Sequence, residues 1–535
     1  MTDIQYFDYI VIGGGSSGCV AAARLVQDLG AKVLLLEAGP PDNSPLIRMP
    51  AGSFKILFSK SPFIKRYASI DQPALGGRSI DVPQGTVIGG GSSVNVMAYT
   101  RGARSDYDGW DRTMGGGSGW DWNSLLPYFR RQEGNQRLDN AAHGGDGPLK
   151  VRDPGYIVPA AHLFLRTMQR LGLRFRDDFN AGELAGAGFI QTTINGKVRC
   201  SAADAFLRPV AKDLRLTIAT GATAQRIRFA GNRAIGVDYL VAGKLCRANA
   251  NAEVIVAAGT FATPKLLMLS GVGPREDLRK FDIPVIADLA GVGQNLQDHN
   301  ITFLTAPTRG SFGYFGEDKG AKMLRNIMRY VLFGDGPIAS NGAETMAFVN
   351  LADPHADPDI QLYCLGVMWP ALDIREQRAG ITLMANLVRP RSRGSVRLRS
   401  ADPADDPLVD LNWLSHPDDG ARLLRALRYL REIAATRPLS AIVAQERLPG
   451  AQLQSDEDLL DYIRRTTESN YHPVGTCRMG PDGDPGAVLD ARLRVRGVDG
   501  LRVIDASMMP TIISSNTNAT VMAVADRAVD LIAAG

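Results

Sequence analysis

The fold of this chain is decided by the stretch Phe7-Asp8-Tyr9-Ile10-Val11-Ile12-Gly13-Gly14-Gly15-Ser16-Ser17-Gly18. It predicts a buried strand, a glycine-rich turn and the beginning of a helix, and the apolar run from Val33 predicts a second strand that ends at Glu37. Gly13 permits a tight turn, Gly15 lets the backbone approach a pyrophosphate, and Gly18 permits close packing of the helix on the strand. The N–H groups at the start of the helix point at phosphates, and Glu37 is placed to accept hydrogen bonds from a ribose. The pattern therefore predicts a bound dinucleotide and redox chemistry.

The size and charge of the chain limit the number of domains and the kinds of partner that we expect. A length of 535 residues predicts two to four domains, at about 150 residues each. A hydrophobic content of 45% and a charged content of 22% are those of an ordinary soluble globular protein. The formal net charge of +4 does not support a nucleic-acid-binding surface. The pI near 8.7 is compatible with weak peripheral association with an anionic membrane.

The cysteines and the N-terminus bear on metal binding and localisation. Five cysteines are scattered without a CxxC pair, which argues against a disulfide framework or a metal site and suits a reducing cytoplasm. The start MTDIQYFDY lacks the basic residues of a signal peptide, and no run of about 18 apolar residues predicts a spanning helix. We therefore expect a cytoplasmic protein that can associate with the inner face of the membrane.

The remaining elements predict a nucleotide fold that begins at the N-terminus and is completed at the C-terminus. Alternating apolar residues from Leu214 to Val241, with turns at Gly221 and Gly231, predict antiparallel strands. Buried strands are predicted at 252–259 and 501–505, and helices at 158–171, 263–269, 417–435, 456–465 and 521–534. The segment 340–413 between these elements indicates a mixed or antiparallel sheet in an inserted second domain.

Three further groups of motifs accompany the N-terminal pattern. They are Gly89-Gly90-Gly91-Ser92-Ser93-Val94-Asn95; Gly259 to Gly273, followed by Gly291 to His299; and His472 to Thr476, with Asp505-Ala506-Ser507 and Asn516-Thr517-Asn518-Ala519. With the first motif, they resemble the glucose–methanol–choline (GMC) oxidoreductases, FAD enzymes that oxidise alcohols, over essentially the whole chain and in the same order. An NAD-dependent dehydrogenase is disfavoured, because it has no role for the second glycine cluster or the C-terminal His-Asn pair.

The resemblance implies an α/β fold, α+β overall, with a Rossmann-like FAD-binding domain assembled from residues 1–157, 200–310 and 465–535. Residues 158–199 and 311–464 would form a substrate-binding domain with a mixed or antiparallel sheet flanked by helices. Some members bind FAD covalently through a histidine in the second glycine cluster. The matching residue here is Val94, which predicts non-covalent FAD.

The resemblance also implies which residues contact FAD. They are Gly13, Gly15, Ser16, Ser17, Gly18, Glu37, Ala38, Gly90, Ser92, Asn95, Val96, Ala224, Asp505, Ala506 and Asn516.

His472 is the predicted catalytic base, because its segment resembles the catalytic histidine segment of the family. Imidazole, with an ordinary pKa of about 6.5, suits removal of a hydroxyl proton near neutral pH. The matching partner is Asn516, 44 positions later, which can hydrogen-bond the substrate oxygen. Asn518 is the competing candidate for that role. His299 is expected to support domain packing or the flavin region.

The second domain is expected to line the substrate pocket. Candidate residues are Glu344, Tyr363, Met368 and Trp369, together with Tyr471 and His472. Few charges stand out near them, which favours an uncharged primary alcohol, aliphatic or aromatic, with a quinone, another carrier or O2 as the electron acceptor. The alternatives are a flavin-containing hydroxynitrile lyase on the same scaffold and a non-catalytic flavoprotein; the His472–Asn516 pair argues against the latter. The oligomeric state does not follow from the sequence.

Overall fold

The computed structural model describes residues 4–369 and 378–535 and contains two sheets, each with its own hydrophobic core. The first sheet has five parallel strands, in the spatial order Leu216–Thr220, Val33–Glu37, Gln5–Ile12, Lys244–Val256 and Leu501–Val503. The antiparallel strands Ala222–Ala230 and Arg233–Val241 extend it through the first half of the long strand Lys244–Val256. Strands from both ends of the described chain therefore meet in this sheet.

The central strands of this sheet are apolar on both faces because helices cover them. Ile10, Val11 and Leu35 are completely buried. The helix Ser16–Leu29 follows the first glycine turn and ends at Gly30, whose φ of 64° is the left-handed conformation that glycine adopts readily. This helix packs against the C-terminal helix Asn518–Ala533. The two termini of the described chain are therefore joined in one core.

The second sheet is entirely antiparallel. Its order is Glu468–Ser469, Asn300–Pro307, Gly380–Leu387, Ile360–Leu365, Thr345–Val349 and Gly186–Phe189. The helices that pack near it are Pro159–Arg170, Pro417–Ala435 and Asp456–Thr466. Two strands depart from the predicted domain boundaries: Asn300–Pro307 and Glu468–Ser469 belong to this sheet, because their backbones pair with each other and with Gly380–Leu387.

Shorter elements connect and surround the two sheets. The further α-helices are Pro45–Arg48, Gly52–Phe58, Gly91–Val94, Arg104–Thr113, Trp122–Gln132, Arg208–Val210, Ala262–Leu269, Arg275–Arg279 and Gly320–Phe333. Single turns of 3-10 helix are Pro73–Leu75, Pro337–Ala339, Leu439–Ala441 and Ala506–Met508, and Ala203–Leu207 is a π-helical turn. Two-stranded ribbons pair Ile64–Ala68 with Asp81–Gly85, Glu133–Asn135 with Leu149–Val151, Ile194–Asn195 with Val198–Arg199, Val272–Gly273 with Ala287–Asp288, and Ser395–Arg397 with Leu408–Asp410.

No helix within the described residues is long and apolar enough to cross a membrane.

Candidate active site

A cavity of about 690 Å³ lies between the two sheets. One end is formed by the first glycine turn and the carboxyl ends of the parallel strands, including Gly13 and Glu37. The other end is formed by His472 and Asn516 below the second sheet, whose Tyr363 and Met384 also reach the cavity. Ligands of doubly wound sheets bind at this same edge, outside the carboxyl ends of the strands.

The glycines of the first turn act as the sequence predicts. Gly13 has a φ of 106°, and a methyl group at Gly18 would collide with the carbonyl oxygen of Gly13, so the helix approaches the strand closely. A methyl group at Gly15 would meet no atom within about 4.0 Å and would project into the cavity that Gly15 lines. This side-chain-free cradle at a helix N-terminus fits the pyrophosphate of FAD.

The backbone of the second glycine cluster crosses the backbone of the first glycine turn. A methyl group at Gly90 would lie 2.7 Å from Cα of Gly15, so the second cluster needs glycine at this position to pass the first turn. The cluster is held from behind by Arg199, which is 1% exposed and donates to the carbonyl oxygen of Ser92 and to Oδ1 of Asn95. Arg199 makes no salt bridge within the described residues, and burial lowers its pKa to about 9.

Glu37 and Asp505 both fix backbone around the cavity. Glu37 accepts 2.8 Å hydrogen bonds from the N–H groups of Gly14 and Gly39, and burial raises its pKa to about 7 despite these donors. Asp505 accepts from the N–H of Gly259 and, through its other oxygen, from the N–H of Ser507. Each oxygen of Glu37 retains a free lone pair and can still accept from an FAD hydroxyl group, whereas each oxygen of Asp505 also accepts from a hydroxyl, of Thr263 or of Ser507.

His472 is held by a second histidine. Its Nδ1 lies 3.0 Å from Nδ1 of His299, and Nε2 of His299 lies 3.1 Å from the carbonyl oxygen of Ile513. A carbonyl only accepts, so His299 carries its proton on Nε2 and presents an unprotonated Nδ1 to His472. His472 therefore carries its proton on Nδ1, which leaves the lone pair of Nε2 directed away from His299.

Asn516 has one orientation that satisfies its neighbours. Its Oδ1 accepts from the hydroxyls of Thr100 and Tyr363, each at 3.2 Å, and from the amide of Gln361. Its Nδ2 consequently points at Nε2 of His472, at 3.2 Å. Asn516, rather than Asn518, contacts the histidine; Oδ1 of Asn518 accepts from the hydroxyl of Ser16.

Both histidines of this pair are neutral at physiological pH. Burial lowers the pKa of His472 to about 4, and burial together with the neighbouring His472 lowers the pKa of His299 well below its usual range. The segment before His472 is fixed by Asp298, which accepts from the N–H of His472 and from the hydroxyl of Ser469. Tyr471, with a φ of 65°, is strained at this turn.

The structure brings most of the predicted site residues to one cavity. Those that line it are Gly13, Gly15, Ser16, Ser17, Glu37, Ala38, Gly90, Asn95, Val96, Ala224, Tyr363, Trp369, Tyr471, His472, Asp505, Ala506 and Asn516. Gly18, Ser92, Glu344 and Met368 are not among the described lining residues. Gly18 and Ser92 support the two glycine segments from behind, since the hydroxyl of Ser92 accepts from the N–H of Ala202.

Glu344 and Met368 require correction as cavity residues. Glu344 is completely buried and accepts hydrogen bonds from the hydroxyls of Tyr314 and Ser340, so its carboxyl is directed into the second domain. Burial raises its pKa to about 8. The side chain of Met368 packs over Gly380 instead of entering the cavity.

Three contributors to the site were not predicted from the sequence. They are Arg199 behind the second glycine cluster, Thr100 beside Asn516, and His299 as the direct partner of His472. The Asp298-His299 pair was the one available signal, and it was interpreted as support for domain packing or the flavin region. No group of three or more His, Cys, Asp or Glu side chains in the described ranges could hold a metal ion.

Comparison with known proteins identifies the family. The model of the GMC oxidoreductase N-terminal region matches residues 7–301, and that of the C-terminal region matches residues 390–525. The chain belongs to the GMC oxidoreductases: it is an FAD-dependent flavoenzyme of the class that acts on CH–OH donors.

Individual relatives align with this chain over nearly its full length. The chain is 37% identical to an oxygen-dependent choline dehydrogenase of Brucella canis and to an alcohol dehydrogenase [acceptor] of Pseudomonas putida. Each match covers 98% of this chain and 95% of the relative. The crystal structure of pyridoxine 4-oxidase from Mesorbium loti superposes with a TM-score of 0.89 at 30% identity and covers 99% of both chains.

Proposed function

We propose that this protein oxidises an uncharged primary alcohol, aliphatic or aromatic, to the aldehyde, with His472 as the base. The observation that carries the proposal is the hydrogen-bond chain from Ile513 through His299 to His472, which leaves Nε2 of His472 unprotonated beside Asn516. A neutral imidazole with a free lone pair at one end of the cavity can remove a proton from a hydroxyl group.

The protein's residues supply proton transfer and orientation. The substrate hydroxyl donates to Nε2 of His472 and accepts from Nδ2 of Asn516, in place of the 3.2 Å contact between them. As the proton moves to Nε2, Asn516 stabilises the developing negative charge on the substrate oxygen. The amide cannot rotate freely, because Thr100 and Tyr363 hold its oxygen. The chemistry that FAD would supply when bound is acceptance of the hydride from the carbinol carbon.

We propose that FAD is bound without a covalent bond. Val94, at the position where a histidine would attach, is a hydrocarbon side chain that lines the cavity. His472 is the single histidine, and there is no cysteine, among the described lining residues. Acid precipitation of the purified protein should leave the yellow flavin in the supernatant. Flavin that remains with the pellet would contradict this.

The proposal of an uncharged substrate rests on the wall of the catalytic end. The residues there are largely apolar, including Phe54, Ile301, Leu365 and Met384. The described carboxylates of the cavity are Glu37 and Asp505, both at the nucleotide end. A quaternary ammonium substrate such as choline would therefore enter without an anionic partner, which costs desolvation energy.

Anaerobic mixing with a panel of alcohols tests the proposal. We expect benzyl alcohol or a medium-chain primary alcohol to bleach the visible absorbance of the flavin faster than choline does. Air is then admitted: rapid recovery with peroxide would identify O2 as the acceptor, and slow recovery a quinone or other carrier. A flavin that no alcohol bleaches would overturn the redox proposal in favour of the hydroxynitrile lyase alternative.

We place the enzyme in the cytoplasm, since its five cysteines are free.

A further inference from the structure

The helix Gly320–Phe333 is amphipathic, but it is mounted with its polar face toward the protein. Asn326, its one buried residue, donates to the backbone and side chain of Glu317. Arg325 pairs with Glu317, and Arg329 pairs with Asp335, at 3.0 and 2.9 Å. Ordinary surface helices bury the apolar face instead.

The apolar face is consequently exposed to solvent. Leu324, Ile327, Met328, Val331 and Leu332 follow the i, i+3, i+4, i+7, i+8 spacing of one helix face and are 42–70% exposed. Phe333, at the end of the helix, is 75% exposed. An exposed apolar stripe of this length marks an interaction site in a water-soluble domain.

A second apolar element lies beside this helix. The segment after the helix packs on the helix Gly52–Phe58, since the N–H of Ala51 donates to the carbonyl oxygen of Ile338 and Phe54 contacts Gly342. At its end Phe58 is 51% exposed and also lines the cavity, with its ring against Trp369. The cavity therefore reaches the surface next to the apolar helix.

The charges around these elements distinguish between a second copy of this chain and an anionic lipid surface as the partner. Segments 45–60 and 315–335 contain seven basic and three acidic residues: Arg48, Lys55, Lys60, Lys319, Lys322, Arg325 and Arg329 against Glu317, Asp318 and Asp335. A second copy of this chain would bring two positive surfaces together. An anionic lipid surface complements the charge, accepts a convex apolar helix and leaves the basic side chains in the headgroup region.

We propose that the helix Gly320–Phe333, with Phe58, docks the enzyme on the surface of an anionic lipid bilayer. The docked cavity mouth lies at the headgroup boundary, where apolar alcohols partition. The role of the docked cavity mouth in taking up apolar alcohols rests on the proposed function, whereas the docking itself does not.

Co-sedimentation of the FAD-loaded full chain with vesicles tests the docking. Vesicles of phosphatidylcholine with phosphatidylglycerol should pellet the protein, and high salt should weaken binding without abolishing it. The triple variant Leu324→Ser, Met328→Ser, Leu332→Ser should bind at least tenfold more weakly. The matched control Leu214→Ser removes a leucine that is 98% exposed elsewhere and should bind as the wild type does. Alcohol bleaching of the flavin should be equal in all three proteins.

The contrary outcomes are distinct. A wild-type protein that stays in the supernatant with every vesicle, or a triple variant that binds equally well, overturns the proposal. Sedimentation equilibrium in the absence of lipid adds a second test. A wild-type dimer that the triple variant converts to a monomer, together with no vesicle binding, would assign the face to a second copy. Failure of alcohol bleaching with intact vesicle binding would overturn the proposed function alone.

Discussion

Two histidines, the completely buried His143 and the cavity-lining His472, have opposite electrostatic surroundings. His143 lies between two carboxylates, with Nδ1 2.9 Å from Glu133 and Nε2 3.1 Å from Asp178. Burial lowers its pKa, but the hydrogen bonds to Asp178 and Glu133 outweigh burial, and the net pKa is raised. His472 contacts neutral His299 and Asn516, and burial alone lowers its pKa to about 4.

The difference shows that burial does not decide what a histidine does. With carboxylate partners, the protonated form of a buried imidazole is favoured, and it can hold a loop. With neutral partners it stays unprotonated and keeps a lone pair for chemistry. The residue type is the same in both places, so the roles are set by the partner residues that the fold brings to each imidazole.

Replacement of the two histidines in turn should produce opposite phenotypes, and the largest effect is expected at His472. His472→Gln should slow anaerobic flavin reduction by about 10² to 10⁴-fold, because the base is lost. The matched variant His143→Gln should reduce flavin at nearly the wild-type rate. Stopped-flow absorbance of the FAD-loaded proteins measures both. Equal loss in the two variants would contradict the assignment of roles.

The free energy of unfolding should show the opposite order, with the larger loss on replacement of His143. His143→Gln should lower the free energy of unfolding by about 3 kcal/mol, since it leaves Asp178 without its cation and Glu133 with Arg101 alone. The pKa of His143 is raised on folding, so its stabilisation is complete below the unfolded value of about 6.5 and is lost as pH rises through the folded value. Denaturant midpoints on either side of that range measure the loss. A destabilisation that grows with pH would contradict this.

The contact behind His472 can be broken while the base is retained. His299→Leu removes the acceptor for Nδ1–H of His472, frees the tautomer and should slow flavin reduction by about 10 to 100-fold. His299→Asn keeps an acceptor oxygen and should recover part of that rate. A purely structural role would make the two variants equal in rate per folded molecule, as judged from flavin content.

The smallest expected effect is a displaced pH profile. The wild-type base is unprotonated above its pKa of about 4, so kcat/KM should be level at neutral pH and fall as pH approaches that value. Asn516→Asp gives His472 a carboxylate neighbour like those of His143. The pH at which kcat/KM falls on the acid side should then rise by about 1 to 3 pH units. A fall at an unchanged pH in the variant would show that a base other than His472 titrates.

The parts of the site that short motifs determine were predictable. Gly13, Gly18 and Glu37 act within one strand–turn–helix–strand unit, and their geometry follows from steric rules. His472 and Asn516 were predicted from their resemblance to family motifs, and the structure places them 3.2 Å apart.

The parts that depend on distant contacts were not predictable. His299 and His472 are separated by 173 positions, and Arg199 and Asn95 by 104, so no local pattern joins them. Glu344 illustrates the reverse: an Asn-Gly-Ala-Glu turn does not determine which way the carboxylate points, and its partners Ser340 and Tyr314 turn it inward. The strand Asn300–Pro307 lies in the range 200–310 that was predicted for the FAD-binding domain, but it pairs with Gly380–Leu387, 80 positions later, a contact that no local pattern reveals.

The nucleotide sheet receives its fifth parallel strand from Leu501–Val503, and the hydroxyl of Ser16 donates to Asn518, 502 positions later. Translation therefore delivers the phosphate-binding turn long before the residues that close it. FAD can be loaded only after the ribosome has released nearly the whole polypeptide. Loss of the C-terminal helix alone should yield a colourless protein whose N-terminal glycine motif is intact.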